Sequence, residues 1–149
     1  MRAVVQRVVS ARVTVNDAVT GEIKKGLVVF LGVESSDVVA DVSYIAEKVS
    51  GLRVFEDGDG KMNLSVKDVG GAVLAISQFT ILGDVRKGKR PSFTAAARPE
   101  EANMLYRAFV DKVTAEGVPV AEGVFRAEML VSVDNDGPVT ILLDSKRGF

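Results

Sequence analysis

The sequence predicts an α+β fold, on three observations. Valine-rich runs of strand length recur from the N-terminus onward, and two segments carry helical spacing with end signals. Strands and helices then alternate irregularly, with no repeat, linker or low-complexity stretch. Both helices are expected to cover sheet faces, in one domain spanning residues 1–149.

Arg2 to Val15 alternates valine with Gln6, Arg7, Ser10, Arg12 and Thr14 and reads as one long or bent strand. Asn16-Asp17 and Gly21 mark turns. Gly26 to Val33 is a buried strand bounded by glycines. The period then changes: Val38, Val42, Ile45, Ala46 and Val49 predict a helix from about 37 to 50, with Ser36 or Asp37 as its cap and Gly51 near its end. Leu52 to Phe55 reads as a short strand and Glu56 to Lys61 as a turn. Ala72 to Phe79 is a further apolar strand, followed by a loop from Leu82 to Ser92. The clearest helix runs from Pro99 to about Glu116. Proline suits its first position, Glu100 and Glu101 its positive end, and Gly117 follows its last turn. Ala102, Leu105, Tyr106, Phe109, Val110 and Val113 form its apolar stripe. Met129 to Val133 and Val139 to Leu143 are the last strands, with an Asn-Asp-Gly-Pro segment between them.

Composition narrows the chemistry. The 149 residues contain no histidine and no cysteine, which removes imidazole bases, thiolate nucleophiles and the usual zinc ligands. No metal or cofactor is expected. The net charge of −1 argues against general coating of nucleic acid, though a local basic patch remains compatible with it. Leu27 to Leu31 is far too short to span a bilayer, and the opening residues do not form a signal peptide. A cytoplasmic protein with no membrane partner is the expectation.

Two motif-like stretches dissolve on inspection. Gly83 to Lys89 matches the first seven positions of a P-loop, but Arg90 stands where a magnesium-binding hydroxyl belongs and Pro91 opposes the helix that should follow. Asp57-Gly58-Asp59-Gly60 resembles a calcium loop, yet Lys61 occupies the next ligand position. Arg86, Lys87, Lys89 and Arg90 form a basic cluster with two readings, a solvated loop or a grip on the phosphates of an RNA end.

Two segments carry the functional argument: Ser77-Gln78-Phe79-Thr80, and Asn135-Asp136-Gly137-Pro138-Val139-Thr140. A Ser/Thr pair can merely close a strand against nearby backbone, and Gly-Pro can be an ordinary turn. Gly137-Pro138, however, interrupts pairing between valine-rich strands, and a cis bond there would leave carbonyls needing partners. Both segments, with Arg86 to Phe93, Val5 to Val8, Gly58 to Asn63 and the spacing of Phe125 and Met129, closely resemble the D-aminoacyl-tRNA deacylases over nearly the whole chain. The chain departs from that pattern at two places. Arg126 stands where the family usually carries a small residue, and Asp134 where it usually carries an apolar one.

The resemblance implies β/β/α layers, with mixed or antiparallel sheets packed on two main helices and continued across a homodimer whose active sites lie at the subunit interface. It implies hydrolysis of the ester between a D-amino acid, or glycine mischarged on tRNA-Ala, and tRNA. Ser77, Gln78, Phe79 and Thr80 would form the catalytic site. Phe125 and Met129 would shape its amino-acid end, and Arg86, Lys87, Lys89 and Arg90 would hold tRNA. A cis Gly137-Pro138, held by Arg7, would enter the partner's pocket and reject L-amino acids. Whether Thr80 is a nucleophile or only lines the site stays open, although no histidine exists to activate it. Two other readings are a small-molecule esterase using Thr80 and a non-catalytic module that binds a tRNA end.

Overall fold

The computed structural model describes residues 1–149. In chain order the elements are β1 (Arg2–Val15), β2 (Ala18–Ile23), β3 (Gly26–Gly32), α1 (Val39–Gly51), β4 (Phe55–Glu56), β5 (Met62–Leu64), β6 (Ala72–Ser77), a 3₁₀ turn (Phe79–Leu82), α2 (Pro99–Ala115), β7 (Val120–Glu122) and β8 (Leu130–Asp144). The α+β class holds. Six strands form one sheet in the order β2-β1-β3-β6-β7, with β8 also on β1, while β4 and β5 make a separate hairpin. The β1 pairings are antiparallel, and β3-β6 and β6-β7 are parallel. The expected layers take the form of one strongly curled, nearly closed sheet. A Cβ added at Gly21 in β2 would lie 2.2 Å from the Glu122 carbonyl oxygen of β7, so the two ends of the sheet meet there. Gly21 is therefore a strand residue at a close approach, not the turn its sequence context implied.

The curl separates two cores. Leu27, Val29 and Leu31 of β3 join Ala3 and Val5 of β1 and the apolar faces of both helices in the larger one. Val28 faces the other way, with Val8, Ala11, Val13, Ile23, Leu74 and Ile76. On β1 the second core takes an even position at Val8 and then odd ones at Ala11 and Val13. An extra residue explains the switch: from Val8 to Ser10 β1 advances two residues while β8 advances one, and Val9 is left exposed.

The helices follow their apolar stripes. Val42, Ile45, Ala46 and Val49 of α1 are buried, as are Leu105, Tyr106, Phe109, Val110 and Val113 of α2, with Pro99 at the start of α2. Neither Ser36 nor Asp37 caps α1, and Val38 is exposed. The Val38 N–H donates to the Asp41 carboxylate at 2.8 Å. Asp37 is taken up by longer-range partners: the Met1 ammonium and Lys146 both reach it, and the Glu34 N–H donates to it at 2.7 Å.

Two further expectations change. Leu52 to Val54 is not strand, and β4 is only Phe55–Glu56. The Val54 carbonyl accepts from Arg7 instead of a neighbouring strand, and Arg53 bonds Asn63. The two final strands are one, β8, paired to β1 on both sides of the Asn-Asp-Gly-Pro segment. Asp57 organises the tight turn between β4 and β5, accepting from the N–H groups of Asp59 and Lys61 and from Asn63.

Candidate active site

The candidate site begins where β6 ends. Ser77 closes the strand, and the Gln78 N–H donates to the Leu31 carbonyl at 2.8 Å, tying the exit of β6 to β3. Phe79 and Thr80 then open the 3₁₀ turn, so their N–H groups precede its internal ladder and have no acceptor within it. Gln78 Nε2 donates to Thr80 Oγ1 at 2.9 Å.

These four residues line a cleft of about 960 Å³, together with Phe125 and Met129. Its walls are mostly apolar. Phe125 stacks on Tyr106, ring centroids 6.2 Å apart, and the Tyr106 hydroxyl donates to the Ala75 carbonyl. Burial, and then the nearby Glu122 carboxylate, push the Tyr106 phenol well above its ordinary pKa, so it stays protonated. Gly123 admits the Met129 thioether, since a Cβ there would lie 2.6 Å from its sulfur. The lining contains no aspartate, glutamate, lysine or histidine. No titrating base stands in the cleft to activate Thr80.

Phe30, Phe93 and Arg98 are among the lining residues that escaped the sequence reading as site residues. Phe30 on β3 looked like one apolar strand position among several. Phe93 stacks edge-on to Phe79 at 5.1 Å, a contact made only by the return of the 83–92 loop, whose base is closed by Asp84 and Ser92. Arg98 precedes Pro99 and reads from sequence only as a neighbour of a helix start.

Gly137, Pro138 and Arg7 do not line this cleft. From Gln6 to Val8 β1 advances two residues while β8 advances five, so the chain around Gly137-Pro138 bulges out of the ladder. The Gly137-Pro138 peptide is cis, Gly137 has φ +124°, and both residues are exposed. Buried Arg7 holds the bulge from beneath. Its Nη1 donates to the Val54 carbonyl at 2.7 Å, its Nε donates to the Asp136 carbonyl at 3.2 Å, and the guanidinium pairs with the Asp136 carboxylate at 3.4 Å. From the other side, the Asn135 side-chain oxygen accepts from the Val139 N–H at 2.9 Å. Asp134, one of the two departures, is outside the bulge and accepts from Ser10 at 2.6 Å.

The basic cluster is exposed on the 83–92 loop, outside the cleft. Arg86 is already engaged: its Nε and Nη2 donate to the two Asp84 carboxylate oxygens at 2.9 and 2.7 Å. That guanidinium, with the Arg86 N–H, holds the Asp84 carboxyl down to about 2. Lys87, Lys89 and Arg90 form no ion pair.

The family model described as D-Tyr-tRNA(Tyr) deacylase matches residues 4–144. The chain belongs to that family. It is 61% identical to the D-aminoacyl-tRNA deacylase of Koribacter versatilis (strain Ellin345) and 58% identical to that of Thermotoga petrophila, each alignment covering all of both chains. Among solved structures it resembles a c-Myc DNA unwinding element binding protein at 40% identity, with a TM-score of 0.92 over 97% of this chain and 98% of that one. A probable eukaryotic D-amino acid tRNA deacylase shares only 17% identity but superposes with a TM-score of 0.81 over 95% and 97% of the two chains, a likeness of fold. No helix of this deacylase-family chain is long and apolar enough to cross a membrane.

Proposed function

We propose that this chain, as one domain over residues 1–149, hydrolyses the ester joining a D-amino acid, or glycine mischarged on tRNA-Ala, to the terminal adenosine of tRNA. Membership of the family makes it a hydrolase of carboxylic esters, a D-aminoacyl-tRNA deacylase. It works as a homodimer, and the Gly137-Pro138 bulge of each chain closes the cleft of its partner. The observation that carries this reading is the position of the bulge. It is exposed, pinned by Arg7 and Asn135, and outside its own chain's cleft. Strand β8 pairs only with β1 and carries exposed Leu130 and Leu142, which favours a sheet continued across the twofold.

The chemistry follows from what the cleft lacks. An aminoacyl ester is reactive and has a ribose hydroxyl beside it, so the main requirement is stabilisation of the developing oxyanion. The N–H groups of Phe79 and Thr80 supply it, one such donor being worth roughly 2.7–4 kcal/mol. Ser77 and Gln78 order the polar end, and Phe125 and Met129 receive the side chain. A rigid main-chain wall from the partner clashes with an L substituent and tolerates many D side chains. A tRNA substrate makes the cytoplasm its place of action.

The deciding experiment follows D- and L-tyrosyl-tRNA with purified protein, alongside its mass in solution. Cleavage of the D form alone by a dimer is expected; equal turnover of both forms, or an active monomer, overturns the reading. Mixing a Gln78→Ala chain with a Gly137→Ala chain tests the shared site, because a mixed dimer regains one intact cleft and bulge. No recovery of D-tyrosyl-tRNA cleavage on mixing would rule out the cross-subunit arrangement.

A further inference from the structure

Arg98 and Arg126 are the only charged residues lining the cleft, and both are exposed. Neither enters an ion pair or donates a side-chain hydrogen bond within the chain, unlike Arg7, Arg53, Arg86 and Arg107. Arg126 is also held at φ +64°. The left-handed region is unfavourable for a residue with a Cβ, and a long side chain gains nothing there from local hydrogen bonding as Asn or Asp does. Two unpaired guanidinium groups therefore face an apolar cleft whose other polar groups are the neutral Ser77, Gln78 and Thr80.

The charge of an aminoacyl-RNA end says which part of it they meet. The amino acid's carboxyl is esterified and neutral, and its amino group is cationic, so two arginines repel that pole. Apart from an acidic side chain on the amino acid, the phosphodiesters leading to the terminal ribose are the only anions present. Guanidinium groups suit them, since their planar fork binds phosphate through two parallel N–H donors.

We propose that Arg98 and Arg126 clamp the phosphodiesters next to the terminal adenosine of the RNA and so position its ester over Ser77 to Thr80. The proposal rests on the deacylase reading. It also separates two jobs: Lys87, Lys89 and Arg90, on a loop outside the cleft, attract the body of the RNA, while the two cleft arginines set the register of its end.

The test is the affinity of a fluorescein-labelled RNA hexamer ending in CCA, measured by anisotropy across a salt series. Each phosphate contact to a single strand contributes a slope of about −0.7 to log K against log salt. Arg98→Gln and Arg126→Gln are each expected to flatten the slope by about 0.7 and to weaken binding roughly ten-fold, and the double variant by about 1.4. Arg126→Lys should keep the slope while losing part of the affinity, which a purely structural role would not produce. Unchanged slopes in folded variants, or no salt-dependent binding by the wild type, would overturn the clamp. Wild-type cleavage of D-tyrosyl-tRNA with unchanged slopes sinks the clamp alone. Arginine-dependent slopes in a protein that leaves D-tyrosyl-tRNA intact sink the deacylase reading and keep the clamp.

Discussion

Gln78 Nε2 donates to Thr80 Oγ1 at 2.9 Å, which leaves the Thr80 proton free to point at a ligand and gives the hydroxyl no base. Threonine in this arrangement is a donor, held by its neighbour, and a poor nucleophile. Thr80→Ala removes one neutral hydrogen bond, a loss of about 1 kcal/mol, and should keep substantial deacylation within about ten-fold of wild type. Gln78→Ala should lose considerably more, because Gln78 both lines the cleft and orients the turn. Single-turnover hydrolysis of D-tyrosyl-tRNA checks both, and a folded Thr80→Ala enzyme with no activity above buffer would contradict the assignment.

Gly137 carries φ +124°, and a Cβ there would meet Val139 Cγ2 at 2.9 Å and Arg7 Nη2 at 3.0 Å. Alanine at this position is strained by its backbone and crowds the guanidinium that holds the bulge. Gly137→Ala is expected to lose about 1–3 kcal/mol of stability and most of its activity. Urea unfolding and hydrolysis of D-tyrosyl-tRNA measure the two effects separately; wild-type values in both would refute the prediction.

Arg7 joins two segments far apart in sequence by donating to the carbonyls of Val54 and Asp136. Arg7→Ala leaves the Val54 carbonyl without that donor in a buried setting, which costs roughly 1–3 kcal/mol, and releases the bulge. Arg7→Lys should recover little, because a single ammonium cannot reproduce the planar fork. Chemical unfolding of the two variants gives the comparison, with full recovery by lysine as the result that fails the argument.

Asp84 titrates at about 2 because Arg86 binds it. A carboxyl depressed in the folded state contributes stability above its ordinary pKa of 3.8, and the contribution fades as pH falls toward about 2. Arg86→Gln should return the Asp84 midpoint toward 3.8 and remove that part of the acid dependence. Carboxyl-carbon NMR titration reads it directly; an unmoved midpoint means Arg86 is not the cause.

Gly21 lets β2 meet β7, since a Cβ would sit 2.2 Å from the Glu122 carbonyl oxygen. Gly21→Val must push the sheet ends apart, at a cost of about 1–3 kcal/mol. Thermal unfolding would show it, and an unchanged midpoint would mean the sheet is less tightly closed than described.

Much of the architecture was legible along the chain because it depends on neighbours in sequence. The apolar stripe of α2 and Pro99 at its start, the glycine-bounded β3 and the Asp57 turn all rest on local periodicity or backbone preference. The absence of histidine and cysteine, and the two motifs, likewise required no coordinates. Tertiary structure alone decided the rest. It turned Gly21 from a turn residue into a strand contact, gave Asp37 to the Met1 ammonium and Lys146 instead of to the start of α1, and merged two strands into β8 around a bulge. It also brought Phe93 and Arg98 to the cleft and placed Gly137-Pro138 outside it. Most of these depend on partners dozens of residues away, and periodicity reports which face a residue occupies without reporting what stands opposite.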